Sequence, residues 1–171
     1  MNIFISQFDI NDRAYVLASN DFGVVYFGND ETTEYVDHHI RRFIPEAERV
    51  TGYPADDKND DFIKDIERYF KGTLTDFNWP LDLHGTDFQK SIWDALLKIP
   101  YGDSRSYSDI SEMIGNPKAI RAVGGAIGAN PVMIVVPCHR VIGKSGKLTG
   151  FRGGLDMKIE LLVIEGIPYV N

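Results

Sequence analysis

Residue 138 is the only cysteine among 171 residues, and a histidine follows it directly in Pro137-Cys138-His139-Arg140-Val141. A lone sulfur beside an imidazole is an arrangement for making a nucleophile. A free thiol near its usual pKa of about 8.5 is mostly protonated at neutral pH. A neutral imidazole can take that proton, and the resulting imidazolium stabilises the thiolate. Adjacent side chains diverge on an extended strand, so contact between the two requires a turn at Pro137. The opposing reading is an inert core thiol, because cysteine is among the most buried residue types. Glu165 is the second candidate. It follows an apolar stretch at 161–164 and precedes Gly166, where a carboxylate faces the negative end of a helix dipole. It reads either as an exposed, frayed end or as a partly buried acid that orients His139.

Other chemistries find little support. Zinc needs several ligands at paired spacing, and the chain offers Cys138 with His38, His39, His84 and His139 only, so no metal is expected. No phosphate-binding glycine loop of P-loop or Rossmann type follows a strand.

The elements that must position these residues are legible in outline. Strands are predicted at 2–9, 14–19 and 24–28, then helices at 33–43 and 61–71, the latter capped by Gly72. Asn78-Trp79-Pro80 through His84-Gly85 reads as a connection, dividing the chain into domains 1–80 and 85–171. In the second, Thr86 and Gln89 form a capping box that opens a helix running to Pro100-Tyr101-Gly102. A helix at 107–114 follows Ser106 as its cap. Asn116-Pro117 then supplies an N-cap and a first-turn proline for a helix at 117–128. The apolar run 132–136 reads as a buried strand leading to Cys138, and 156–164 as a last helix. The two helices joined at Gly115-Asn116-Pro117 fit a helix-turn-helix, or else an ordinary packed pair. The second carries Lys118 and Arg121 beside Ala119, Ala122, Gly124, Gly125, Ala126 and Gly128. Interior glycines cost a helix on the order of 1 kcal/mol each, so this helix gives up stability for a thin surface.

Charge is uneven. The whole chain carries −7, residues 1–80 carry −8, and 81–171 carry +1. Residues 105–158 alone carry +5, a surface that suits a polyanion unless the clustering is chance. The first ten residues alternate apolar and polar, unlike a signal peptide, and no run reaches membrane-spanning length. With a single cysteine and no internal disulfide, a cytoplasmic location is expected, without a membrane partner.

The motifs Gly85-Thr86-x-Phe88-Gln89, Ile99-Pro100-Tyr101-Gly102, Ser106-Tyr107, Gly115-Asn116-Pro117-Lys118-Ala119-x-Arg121-Ala122-Val123-Gly124-Gly125, Asn130-Pro131, Pro137-Cys138-His139-Arg140-Val141, Gly150-Phe151-Arg152 and Lys158…Glu165-Gly166 resemble the O6-alkylguanine-DNA alkyltransferases, or methylated-DNA–protein-cysteine methyltransferases. The resemblance covers about residues 84–168. It implies an α/β (α+β) fold: an N-terminal ribonuclease-H-like sheet-plus-helix domain and a mostly helical, winged-helix-like C-terminal domain that binds DNA and accepts the alkyl group. It implies direct-reversal repair in a single turnover and without a cofactor, with the alkyl group passing from guanine O6, and less from thymine O4, to Cys138. The partner implied is double-stranded DNA carrying O6-alkylguanine, met by a monomer through the minor groove with the nucleotide flipped out.

By the same resemblance His139 takes the thiol proton through a water, Glu165 holds His139, and Asn130 braces the turn. Arg121 fills the gap in the base stack and Tyr107 crowds the flipped nucleotide's phosphate. Carbonyls at Cys138 and Val141 accept from the guanine amine, and Phe151 and Arg152 belong to the pocket loop. Ser106, Lys118, Ala119, Ala122 and Lys158 complete the DNA- and base-facing set. Phe151 stands where many members have tyrosine, and Gly153 where many bacterial members have tryptophan.

Overall fold

The computed structural model describes residues 1–170, which divide into two compact units, Met1–His84 and the chain from Gly85 onward. The first is built on a four-stranded sheet. Strands β1 (Asn2–Ile10), β2 (Arg13–Asn20) and β3 (Gly23–Gly28) form an antiparallel meander, and β4 (Glu48–Val50) adds to β1 in parallel, giving the order β3-β2-β1-β4. The β1–β2 hairpin turns on Asn11 and Asp12, both at positive φ, which these residues tolerate better than most. Helix α1 (Glu34–Phe43) buries Val36 and Ile40 against Ile3, Ile5, Val16, Ala18 and Val25. The three-residue β4 has no alternating pattern to announce it and was not expected.

Helix α2 spans Tyr53–Phe70, beginning eight residues before the expected 61. Its early turns are rich in aspartate, which hides the buried face supplied by Ala55 and Asn59. Asn59 is fully buried yet satisfied: its Nδ2 donates to Phe4 O and Ser6 Oγ, and Ser19 Oγ donates to its Oδ1. A polar side chain can therefore occupy a core position that sequence patterning assigns to solvent.

In the second unit, α3 (Asp87–Leu96) starts at the expected capping box, with both reciprocal bonds between Thr86 and Gln89 present. Trp93 is buried and its Nε1 donates to Ala126 O of α5 (Ile120–Gly128) at 2.9 Å, pinning the two helices together. Strand β5 (Arg105–Ser106) leads into α4 (Tyr107–Met113), whose cap is Ser106 in a second capping box with Asp109. Gly115, at φ 74°, ends that helix. Helices α4 and α5 are the expected helix-turn-helix pair, with one correction. Asn116 and Pro117 do not open α5; they form a turn closed by Ala119 N–H to Asn116 O, and α5 begins at Ile120 with Lys118 still in the turn. The short β6 (Val141–Ile142) pairs in parallel with β5, and α6 (Leu155–Glu165) closes the unit, ended by Gly166 at φ 68°. Among the described residues no helix is long and apolar enough to cross a membrane.

A second correction concerns the run before Cys138. Val132–Val136 is buried, as a core strand would be, but it is folded into consecutive turns. Apolar runs of this length report burial and leave the backbone path open. Here Val136 N–H reaches back to Val132 O and Val135 N–H to Met133 O, bonds a strand cannot make.

Candidate active site

The turns deliver Cys138 into a 3-10 helix, Cys138–Arg140. Pro137, at φ −82° and ψ 65°, centres an inverse γ-turn closed by Cys138 N–H to Val136 O. Asn130 brackets the segment: its Oδ1 accepts from Val132 N–H at 3.0 Å and its Nδ2 donates to Val136 O at 2.7 Å. Because the 3-10 helix turns sharply, His139 and Arg140 are buried in the unit like the cysteine before them.

Both meet Glu165. His139 Nε2 lies 2.5 Å from Glu165 Oε2, and Arg140 Nε donates to Oε1 at 2.7 Å. Gly102 N–H also donates to Oε1 at 3.0 Å, and Arg140 Nη1 donates to Ile99 O at 2.6 Å. The side chains of His139 and Glu165 are wholly inaccessible to solvent. Glu165 is thus the buried acid, and the frayed-end reading is discarded. Its position at the unfavourable end of α6 is offset by a guanidinium, an imidazole and a backbone amide converging on it. With Nε2 turned to the carboxylate, His139 Nδ1 is buried without a hydrogen-bond partner among the described residues. No hydrogen bond joins the sulfur directly to the ring.

Burial sets the resting protonation states. It pushes the Cys138 thiol above its ordinary value, while the Asn130 amide and the Lys158 and Arg152 cations pull it back. Burial pushes the His139 imidazole below its ordinary value of 6.5, against the pull of Glu165. The resting pair is therefore a thiol and a neutral imidazole, with the imidazole able to receive a proton. Lys158 is buried on α6, donates to Val141 O at 2.8 Å and lies 5.9 Å from the centre of the Phe151 ring. Burial lowers its pKa as well, and the cysteine raises it.

Most of the expected site residues gather here. Arg152 Nη1 donates to Asn130 O at 3.0 Å, placing the loop that carries it against the bracket of the cysteine turn. Tyr107 Oη is 2.5 Å from Thr149 Oγ1, tying the start of α4 to the same loop. Lys118, Arg121 and Ala122 stand apart, exposed on α5 and the turn before it, with Ala119 half-buried beside them. Arg140, Gly102 and Ile99 are the functional neighbours that sequence reasoning missed. The signal for Arg140 was a guanidinium placed directly after a buried Cys-His pair, which needs an anion. Among the described residues no three His, Cys, Asp or Glu side chains converge as a metal site.

Fold and site together define a buried Cys-His-Glu-Arg cluster carried on a helix-turn-helix unit. Residues 87–167 match the family model described as the 6-O-methylguanine DNA methyltransferase DNA-binding domain. The chain is 43% identical over 164 residues to the inducible methylated-DNA–protein-cysteine methyltransferase of Bacillus subtilis, covering 95% of this chain and 90% of that protein. Among solved structures, the O6-methylguanine methyltransferase of Mycobacterium tuberculosis superposes with a TM-score of 0.78 at 40% identity, covering 95% of this chain and 92% of that one. A Mycobacterium tuberculosis OGT solved in complex with DNA gives the same TM-score at 38% identity, covering 96% and 92%. The chain belongs to the methylated-DNA–protein-cysteine methyltransferase family.

Proposed function

We propose that this protein repairs alkylated DNA by direct reversal, moving an alkyl group from guanine O6, and more slowly from thymine O4, to Cys138 Sγ. The observation that carries the reading is the buried sequence Cys138, His139, Glu165 and Arg140. A thiol is followed by a neutral imidazole whose Nε2 is held by a carboxylate, leaving Nδ1 to accept a proton. That proton passes through a water from Sγ to Nδ1, and Glu165 stabilises the imidazolium formed. The thiolate attacks the alkyl carbon, the S–C bond forms as the C–O bond breaks, and the guanine leaves with the electron pair. No group in the site is suited to hydrolyse the thioether, so each molecule reacts once.

The target atom is out of reach inside a duplex, and the nucleotide must be turned out of the stack. The exposed face of α5, with Arg121, Ala122, Gly125 and Gly128, admits close approach to a minor groove, and Arg121 takes the place of the extruded base. Tyr107 borders the flipped nucleotide, with Ser106, Lys118 and Ala119 along the backbone. Val141 O, oriented by Lys158, accepts from the guanine amine, and Phe151 and Arg152 wall the pocket. The unit from Gly85 onward thus carries both DNA binding and alkyl acceptance, and the protein acts as a monomer on double-stranded DNA. Incubation with a duplex bearing one O6-methylguanine should add one methyl mass per molecule, confined to the Cys138 peptide. An unmodified peptide beside a still-methylated duplex would overturn the proposal.

A further inference from the structure

Ile134 has φ 68°, in the left-handed region, and is 1% exposed. Among the described residues it is the one β-branched side chain at positive φ, since Asn11 and Asp12 are the other non-glycine cases. A β-branched residue there is a true outlier, and such strain persists only where the surroundings hold it. Val135 N–H donates to Met133 O at 2.8 Å across it, so Ile134 centres a γ-turn of the rare positive-φ kind. Three residues later the inverse γ-turn at Pro137 bends the chain the other way and delivers Cys138. The first turn lies within the Asn130 bracket and the second starts from its far end, Val136 O, while Val136 N–H to Val132 O closes the wider loop around Ile134. Glycine would satisfy the backbone without strain. What isoleucine adds is an anchor, a large side chain that is itself buried, in a segment whose Val132 and Val136 are fully buried too.

We propose that Ile134 is a positioning residue for Cys138: its buried side chain pins the chain in a positive-φ γ-turn, and alkyl transfer depends on that backbone conformation. The proposal rests on Cys138 being the acceptor. Its signature is an inverted substitution order. A purely packing role ranks variants by side-chain volume, so Ile134→Ala would outperform Ile134→Gly. If the backbone conformation matters, alanine is the worst choice, because it keeps the penalty for positive φ and loses the anchor. Glycine loses the anchor but also the penalty.

The test is single-turnover methyl transfer from an O6-methylguanine duplex, with urea unfolding of the same proteins. Ile134→Val, which keeps branch and most of the anchor, should stay near the parent rate. Ile134→Gly should transfer about tenfold faster than Ile134→Ala and unfold at a higher urea concentration, as the left-handed penalty for a Cβ implies. The DNA concentration at half-saturation should be the same in all, because Ile134 is buried away from the exposed face of α5. Alanine equal to or faster than glycine overturns the proposal, as does a glycine advantage confined to stability. Should Ile134→Ala not fold, Ile134→Asn against Ile134→Thr repeats the comparison, asparagine tolerating positive φ where branched threonine does not; threonine equal or faster overturns it. A parent protein that takes up no methyl refutes the acceptor role of Cys138, while the unfolding order of the variants still reports on the strained turn.

Discussion

Replacing Glu165 by glutamine tests the site where its charges meet. The carboxylate accepts from Arg140 Nε and Gly102 N–H through Oε1 and faces His139 Nε2 through Oε2. An amide is nearly isosteric but has one acceptor oxygen and one donor nitrogen. With its oxygen toward Arg140 and Gly102, its NH2 faces Nε2, which must then become the acceptor. The ring proton moves to Nδ1, and the atom left to receive the thiol proton is blocked. With the amide reversed, its NH2 opposes two donors at a side chain wholly inaccessible to solvent. Either way the Arg140 guanidinium loses its counter-ion while buried, a change that costs about 3–5 kcal/mol. At about 2 kcal/mol per molar urea, the midpoint for the unit carrying the site should fall by about 2 M. The transfer rate at saturating DNA should fall about 100-fold or more, the lower range for loss of a general base. Urea titration followed by Trp93 fluorescence in a Trp79→Phe background and a single-turnover assay measure the two. A midpoint within about 0.5 M of the parent's, or an unchanged rate, would refute the account of Glu165 as both counter-ion and tautomer lock.

Two further outcomes follow from the same geometry. Gly125 lies mid-helix on the exposed face of α5, and an added Cβ there would meet nothing within 4 Å. Gly125→Ala should therefore stabilise the protein by about 1 kcal/mol in thermal unfolding while weakening duplex binding by titration; unchanged affinity would remove this face from the DNA interface. His139 must be neutral to act as base, and burial holds it below 6.5. The transfer rate should stay level as pH falls to 6.5 and decline only below it, in quenched single-turnover runs. The sign for stability is the same: a depressed imidazole contributes fully above 6.5, and that contribution is lost as pH falls from there toward the folded value. A rate already halved at pH 7 would contradict the neutral resting ring.

The sequence spoke most clearly where chemistry is local. Thr86-x-x-Gln89 specified the start of α3 because the two side chains and two amides that close the box lie within one turn. Gly115 and Gly166 marked helix ends because their positive φ suits glycine above other residues. Asn116-Pro117 misled, since the same pair that opens a helix also makes a tight turn, and only packing against α4 decides between them. The run 132–136 misled for a different reason: its burial was legible and its path was not, being fixed by Asn130 and by hydrogen bonds that no periodicity announces. At the site, Cys138, His139 and Glu165 could be picked out by residue type. The role of Arg140 could not, because the partner that gives it meaning lies 25 residues away along the chain.

That separation also bears on when the protein becomes competent. The bond from Gly102 N–H to Glu165 spans 63 residues, and those from Arg140 to Ile99 and from His139 to Glu165 span 41 and 26. Contacts of such range form late, after loop closure has been met, whereas the capping boxes of α3 and α4 form from neighbours. The caps of α3 and α4 can thus be assembled before α6 has docked, but the imidazole has no carboxylate until it does. Local opening of α6 in the folded protein would leave α5 held to α3 by Trp93 while the imidazole beside Cys138 loses its carboxylate.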